Sequence, residues 1–63
     1  MCESNAYLIA SGGTEELVME DVDYLRLDGE NVILRSIFGE EKTVRATIRE
    51  MKLSAHKILL ERP

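Results

Sequence analysis

A chain of 63 residues with one cysteine is a single small domain that no internal disulfide can brace, which leaves a metal or a partner subunit to support its core. A formal net charge of −4 excludes the uniformly basic surface that nucleic acid attracts. No apolar stretch approaches the roughly 20 residues that span a bilayer, and an unpaired thiol fits a reducing compartment, so a cytoplasmic protein is expected.

The net charge hides an asymmetry. Residues 1–23 hold six acidic side chains (Glu3, Glu15, Glu16, Glu20, Asp21, Asp23) and neither Lys nor Arg. Residues 24–63 hold six acids against eight basic residues. A local basic stripe is therefore confined to the second part.

The chain starts Met1-Cys2-Glu3. A small second residue favours removal of Met1, after which Cys2 carries a free amine and a thiol on one residue. Together they close a five-membered chelate ring with a sulfur and a nitrogen donor. That pairing suits Ni(II) or Cu(II) in a square plane, or Zn(II) in a tetrahedron. The plain alternative is an incidental cysteine in a frayed terminus.

Beyond it, turn signals recur every eight to twelve residues, the spacing of a small all-β domain. Ala6 to Ala10 forms a first strand, broken at Gly12-Gly13. Leu17-Val18-Met19 is a second, ending in Glu20-Asp21. Tyr24 to Leu27 alternates and runs into Asp28-Gly29, a strong hairpin signal because glycine tolerates the positive φ of such a turn. Val32 to Ile37 follows, and Phe38-Gly39-Glu40 marks another tight turn.

From Lys42 to Leu53 the pattern supports two readings. Val44, Ile48 and Met51 have helical spacing, whereas Val44 and Ala46, then Met51 and Leu53, alternate in opposite parities. Two short strands joined by a bend or bulge near Ile48 reconcile the phases, and a lone helix would leave the neighbouring hairpins without partners. A turn at Ser54-Ala55-His56-Lys57 leads to a last strand, Ile58-Leu59-Leu60. These elements predict an all-β fold, a small barrel-like, strongly bent antiparallel sheet of about six or seven short strands, occupying residues 1–63 as one domain. Its core is expected from Leu8, Val18, Leu25, Leu27, Leu34, Val44, Met51, Leu53, Ile58 and Leu60.

The same residues, in order, resemble the CooT family, the small nickel-binding accessory proteins of carbon monoxide dehydrogenase maturation. The resemblance rests on Met1-Cys2, Met19-Glu20-Asp21-Val22, the Asp28-Gly29 hairpin followed by Val32, and Ile37-Phe38-Gly39-Glu40-Glu41. It continues through Ile48, Met51, Leu53, the turn at His56-Lys57 and Ile58-Leu59-Leu60-Glu61. Met51 departs from the branched aliphatic residue expected there, which concerns packing and not the site. The resemblance implies a small all-β homodimer that binds Ni(II) through Cys2, working with a nickel enzyme such as carbon monoxide dehydrogenase or its maturation factors. The family is also described as predicted RNA-binding.

One Cys2 gives two or three donors: the thiolate, the amine (or the Cys2 backbone nitrogen if Met1 stays) and, as a third, the deprotonated Glu3 amide. Two copies meeting across a two-fold axis would supply two sulfurs and two nitrogens. His56 and the Glu3 carboxylate are further candidate ligands, although a histidine in a hairpin turn is ordinarily solvated. Met19 and Met51 are soft donors whose ordinary role at strand positions is core filling.

Two other function classes remain. RNA binding would need Arg26, Arg35, Lys42, Arg45, Arg49, Lys52 and Lys57 on one face, with only Tyr7, Tyr24 and Phe38 to stack on bases. Catalysis by a Cys2–His56 pair would need a pocket and an orienting group that nothing in the pattern asks for, so no enzyme is expected.

Overall fold

The computed structural model describes residues 3–63. Six strands form a single sheet: β1 (Ser4–Ile9), β2 (Glu15–Asp28), β3 (Asn31–Ser36), β4 (Glu41–Arg45), β5 (Thr47–Lys52) and β6 (Lys57–Glu61), with one 3-10 turn, Leu53–Ala55, before β6. The all-β class and the number of strands match the sequence reading. Among the described residues no helix is long and apolar enough to cross a membrane.

The largest difference from that reading is β2. Leu17-Val18-Met19 and Tyr24 to Leu27 belong to one strand of 14 residues. Fourteen extended residues span about 45 Å, yet the longest dimension of the molecule is 32 Å, so β2 must bend. It does so through bulges: its register against β1 shifts twice, between Ser4 and Tyr7, and its register against β3 shifts between Val22 and Tyr24. Asp21, at the bend, has φ of 56°, a left-handed conformation that Asp tolerates better than most residues. Glu20-Asp21, read from sequence as a break, is therefore a hinge inside a continuous strand. The first part of β2 pairs with β1 and the second part with β3.

The sheet order is β4-β3-β2-β1-β6-β5. Strands β4 and β5 lie at opposite ends of that order, yet only Ala46 separates them in the chain. The sheet must therefore curl until its two ends meet at that corner, where the buried Ala46 donates its N–H to the Glu30 carbonyl at 3.1 Å. It is bent but not closed. The expected bulge near Ile48 is present: the register of β5 against β6 slips between Ile48 and Glu50, leaving Arg49 as the extra residue.

One pairing corrects the antiparallel expectation. β1 and β6 run parallel, Ala6 beside Ile58 and Leu8 beside Leu60, and the sheet is mixed. A parallel pair needs a long crossover, and here the crossover is the whole of the intervening chain. The β2–β3 hairpin is the opposite extreme. Asp28 pairs with Asn31 across a two-residue loop in which Gly29 supplies a φ of 62°, as such turns require.

The inner face of the curl is the core: Ala6, Leu8, Met19, Val22, Val32, Leu34, Ala46, Ile58 and Leu60, with Val18, Leu25, Val44 and Ile48 packed against it. Of the expected core residues, Leu8, Leu34, Ile58 and Leu60 are buried, and Val18, Leu25 and Val44 are partly so. Leu27, Met51 and Leu53 are instead 62%, 48% and 71% exposed. Leu27 pairs with the buried Val32 but lies at the hairpin end, past the reach of opposing strands.

Candidate metal centre

Cys2, the metal ligand expected from sequence, lies with Met1 outside the described residues. What the structure describes is the ground it leads into. Glu3 is half-buried, and Ser4 opens β1 opposite Val22. The next residue, Asn5, is held on both sides. Its backbone N–H donates to the His56 carbonyl at 2.9 Å, and its side-chain Oδ1 accepts the Asp21 N–H at 3.1 Å. The start of β1 is thus joined at once to the hinge of β2 and to the turn before β6.

His56 occupies that turn in a left-handed conformation, with φ of 53°, and its N–H donates to the Leu53 carbonyl at 3.2 Å. Its side chain is exposed, in agreement with the turn reading. Sequence distance conceals that the backbone of His56 sits beside the chain start. Among the described residues no group of three or more His, Cys, Asp and Glu is placed to hold a metal ion. Met19 is buried in the core, as its filler role requires.

Met51 and Leu53 explain their own exposure. They line a groove of about 230 Å³ together with Ser4, Tyr24, Leu25 and Ile58. Met51 pairs with the buried Ile58, so its position in the pleat is that of a core residue. It stays exposed because the sheet is open at this point. Among the described residues, the second part of β2 pairs only with β3, and β5 only with β6, which leaves two strand edges beside the groove. Leu53, in the 3-10 turn, and Tyr24, 38% exposed, extend the apolar surface. Ser4, at the start of β1, thus lies at the rim of an apolar groove that the described residues leave open. Surfaces of that kind mark interaction sites.

Five of the eight basic residues have partners among the described residues. Arg35 lies over the Tyr24 ring at 4.2 Å and reaches Glu41 at 3.8 Å. Arg45 pairs with Glu30 at 2.7 Å, Arg49 with Glu61 at 3.9 Å, and Lys57 with Glu15 at 2.8 Å. The Lys42 Nζ donates to the Val18 carbonyl at 2.8 Å. Solvated pairs of this sort contribute little stability. The hydrogen bond to Glu15 raises the pKa of Lys57 above its ordinary value despite partial desolvation.

The family model for CooT, described as the CO dehydrogenase accessory protein, matches residues 1–61. This chain belongs to the CooT family. A crystal structure assigned as CooT of Carboxydothermus hydrogenoformans is 40% identical, covers 98% of both chains and superposes with a TM-score of 0.90. Uncharacterized archaeal proteins are also similar. One from Methanocaldococcus jannaschii is 36% identical over 61 residues, which are 97% of this chain and 98% of that protein. Another, from Archaeoglobus fulgidus, is 44% identical over 43 residues, 68% of this chain and 96% of its own length. CooT is an accessory protein and not itself the enzyme, in line with the non-enzymatic reading of the sequence.

Proposed function

We propose that this protein handles nickel for the maturation of a carbon monoxide dehydrogenase, binding one Ni(II) per homodimer through Cys2 of both protomers. The observation that carries this reading is the match to an accessory protein of that enzyme over residues 1–61, a span that includes the only cysteine of the chain.

The chemistry follows from the donors. A Cys2 thiolate and its own amine form a compact chelate, and two such pairs fill a four-coordinate site. Ser4, two residues after Cys2 in the chain, lines the groove at the start of β1. Covering that groove with a second copy in a two-fold contact would bring two N-termini together and bury Met51, Leu53 and Tyr24 at the same time. A site assembled from two termini exchanges metal more readily than one enclosed in a core, and delivery to an enzyme requires such exchange.

Titration of the purified protein with Ni(II), followed by thiolate charge-transfer absorption and native mass spectrometry, tests the proposal. Saturation at one nickel per two chains is expected, with loss of the band in Cys2→Ser. A Cys2→Ser protein with an unchanged spectrum and stoichiometry refutes it.

A further inference from the structure

The turn between β3 and β4 is built to hold one side chain in water. Ser36 is buried, and its Oγ accepts the N–H of Phe38 at 3.2 Å and of Glu40 at 3.3 Å. Its own N–H donates to the Glu40 carbonyl at 2.8 Å, and its carbonyl accepts the Gly39 N–H at 3.0 Å. The Ile37 N–H donates to the Asp21 carbonyl at 2.9 Å, which fixes the turn to the hinge of β2. Gly39, with φ of 87°, takes the left-handed position that a residue with a side chain would resist. The tip of this rigid turn is Phe38, the only phenylalanine, 76% exposed and the most exposed large hydrophobic residue described.

A braced turn has already met the entropic cost of ordering the backbone that presents the ring, which helps prepare a binding anchor. Next to it, Leu17 is 52% exposed, and both line a groove of about 280 Å³. The polar residues of that groove are Glu20, Asp21, Glu40 and Lys42. Three of the four are acidic, and the Lys42 ammonium is already bound to the Val18 carbonyl. This surface shares no lining residue with the groove at the chain start.

We propose that the Phe38 face docks a basic, apolar segment of a partner protein. An apolar side chain of that segment packs against Phe38 and Leu17, and flanking Lys or Arg side chains meet Glu20, Asp21 and Glu40. Charge selects this occupant. A second copy in a two-fold contact through the same patch would set the three carboxylates against their own equivalents. The same carboxylates repel the phosphates of a nucleic acid.

The test uses the full chain, isotopically labelled, titrated with a short synthetic peptide in which a Leu-Phe pair is flanked by lysines. Saturable amide shifts confined to residues 17–21 and 36–42 are expected. Affinity should fall about 10-fold or more in Phe38→Ser, and equally with a peptide in which glutamates replace the lysines. Because the Phe38 ring is exposed, the variant should keep the dispersed spectrum of the folded protein and its nickel stoichiometry. Absence of saturable shifts, equal binding of the glutamate peptide, or binding of an oligoribonucleotide at these residues overturns the proposal. So does a change in dimerisation of Phe38→Ser, which would assign the face to a second copy.

Discussion

Substitution of Leu53 by serine separates the two roles that an apolar residue can have, holding a fold together or joining two copies of it. Leu53 is 71% exposed in the single chain, so most of its side chain contributes nothing to the monomer. Full burial of a leucine stabilises by about 1.5–3 kcal/mol. Covering the exposed part at a two-fold interface would therefore add roughly 1–2 kcal/mol per protomer, or about 2–4 kcal/mol per dimer because the contact occurs twice. Leu53→Ser should then raise the dimer dissociation constant between about 30-fold and about 1,000-fold. The stability of the dilute monomer should change by no more than about 0.5 kcal/mol. Sedimentation equilibrium over a range of concentrations gives the first quantity, and urea unfolding at high dilution gives the second. An unchanged dissociation constant together with a large loss of monomer stability refutes the reasoning, since Leu53 would then be part of the core.

Three further outcomes follow from the fold. Leu34 is fully buried in the core; Leu34→Ala should cost about 2–5 kcal/mol, a large share of the roughly 3–9 kcal/mol expected for a domain of this size, and urea unfolding will read it directly. Asn5→Ala removes the acceptor of the Asp21 N–H at the hinge of β2. It should cost about 1–2 kcal/mol, with loss of hydrogen-exchange protection concentrated at residues 19–23, and uniform loss across the sheet would contradict the local role. The raised pKa of Lys57, caused first by its hydrogen bond to Glu15, stabilises the fold at pH below the ordinary value of 10.5. That stabilisation is lost as pH rises through the higher folded value. Glu15→Gln should therefore differ from the parent protein below that range and converge with it above, as followed by thermal melting across alkaline pH.

The proposed ligand comes from the sequence, and little of the fold around the chain start was legible there. Cys2 stands out from composition and position alone, because a lone thiol at position two would, once Met1 is removed, sit beside a free amine and form a chelate. His56 reads correctly as a turn residue, yet its backbone contact with Asn5 joins the two ends of the chain and leaves no local signature. Ser36 was not marked as structural: one serine in an apolar run gives no sign that its hydroxyl will hold two backbone N–H groups of the next turn. The continuity of β2 was also hidden, since the acidic pair Glu20-Asp21 resembles a loop, and only the partners of Asp21 (Asn5 and Ile37) make it a bend.

The sequence by itself determined the local choices: extended strands from alternating apolar residues, hairpins at Asp28-Gly29 and Phe38-Gly39, and a bulge near Ile48. All of these depend on neighbours a few positions away, through backbone sterics and side-chain alternation. Only the tertiary structure decided which strands meet. The parallel pair of β1 with β6 and the return of the sheet upon itself at Ala46 depend on the curl as a whole. That curl also set which apolar residues were left uncovered. Alternation assigns a side chain to a face, but burial needs another layer opposite, and at Met51 and Leu53 the open sheet provides none.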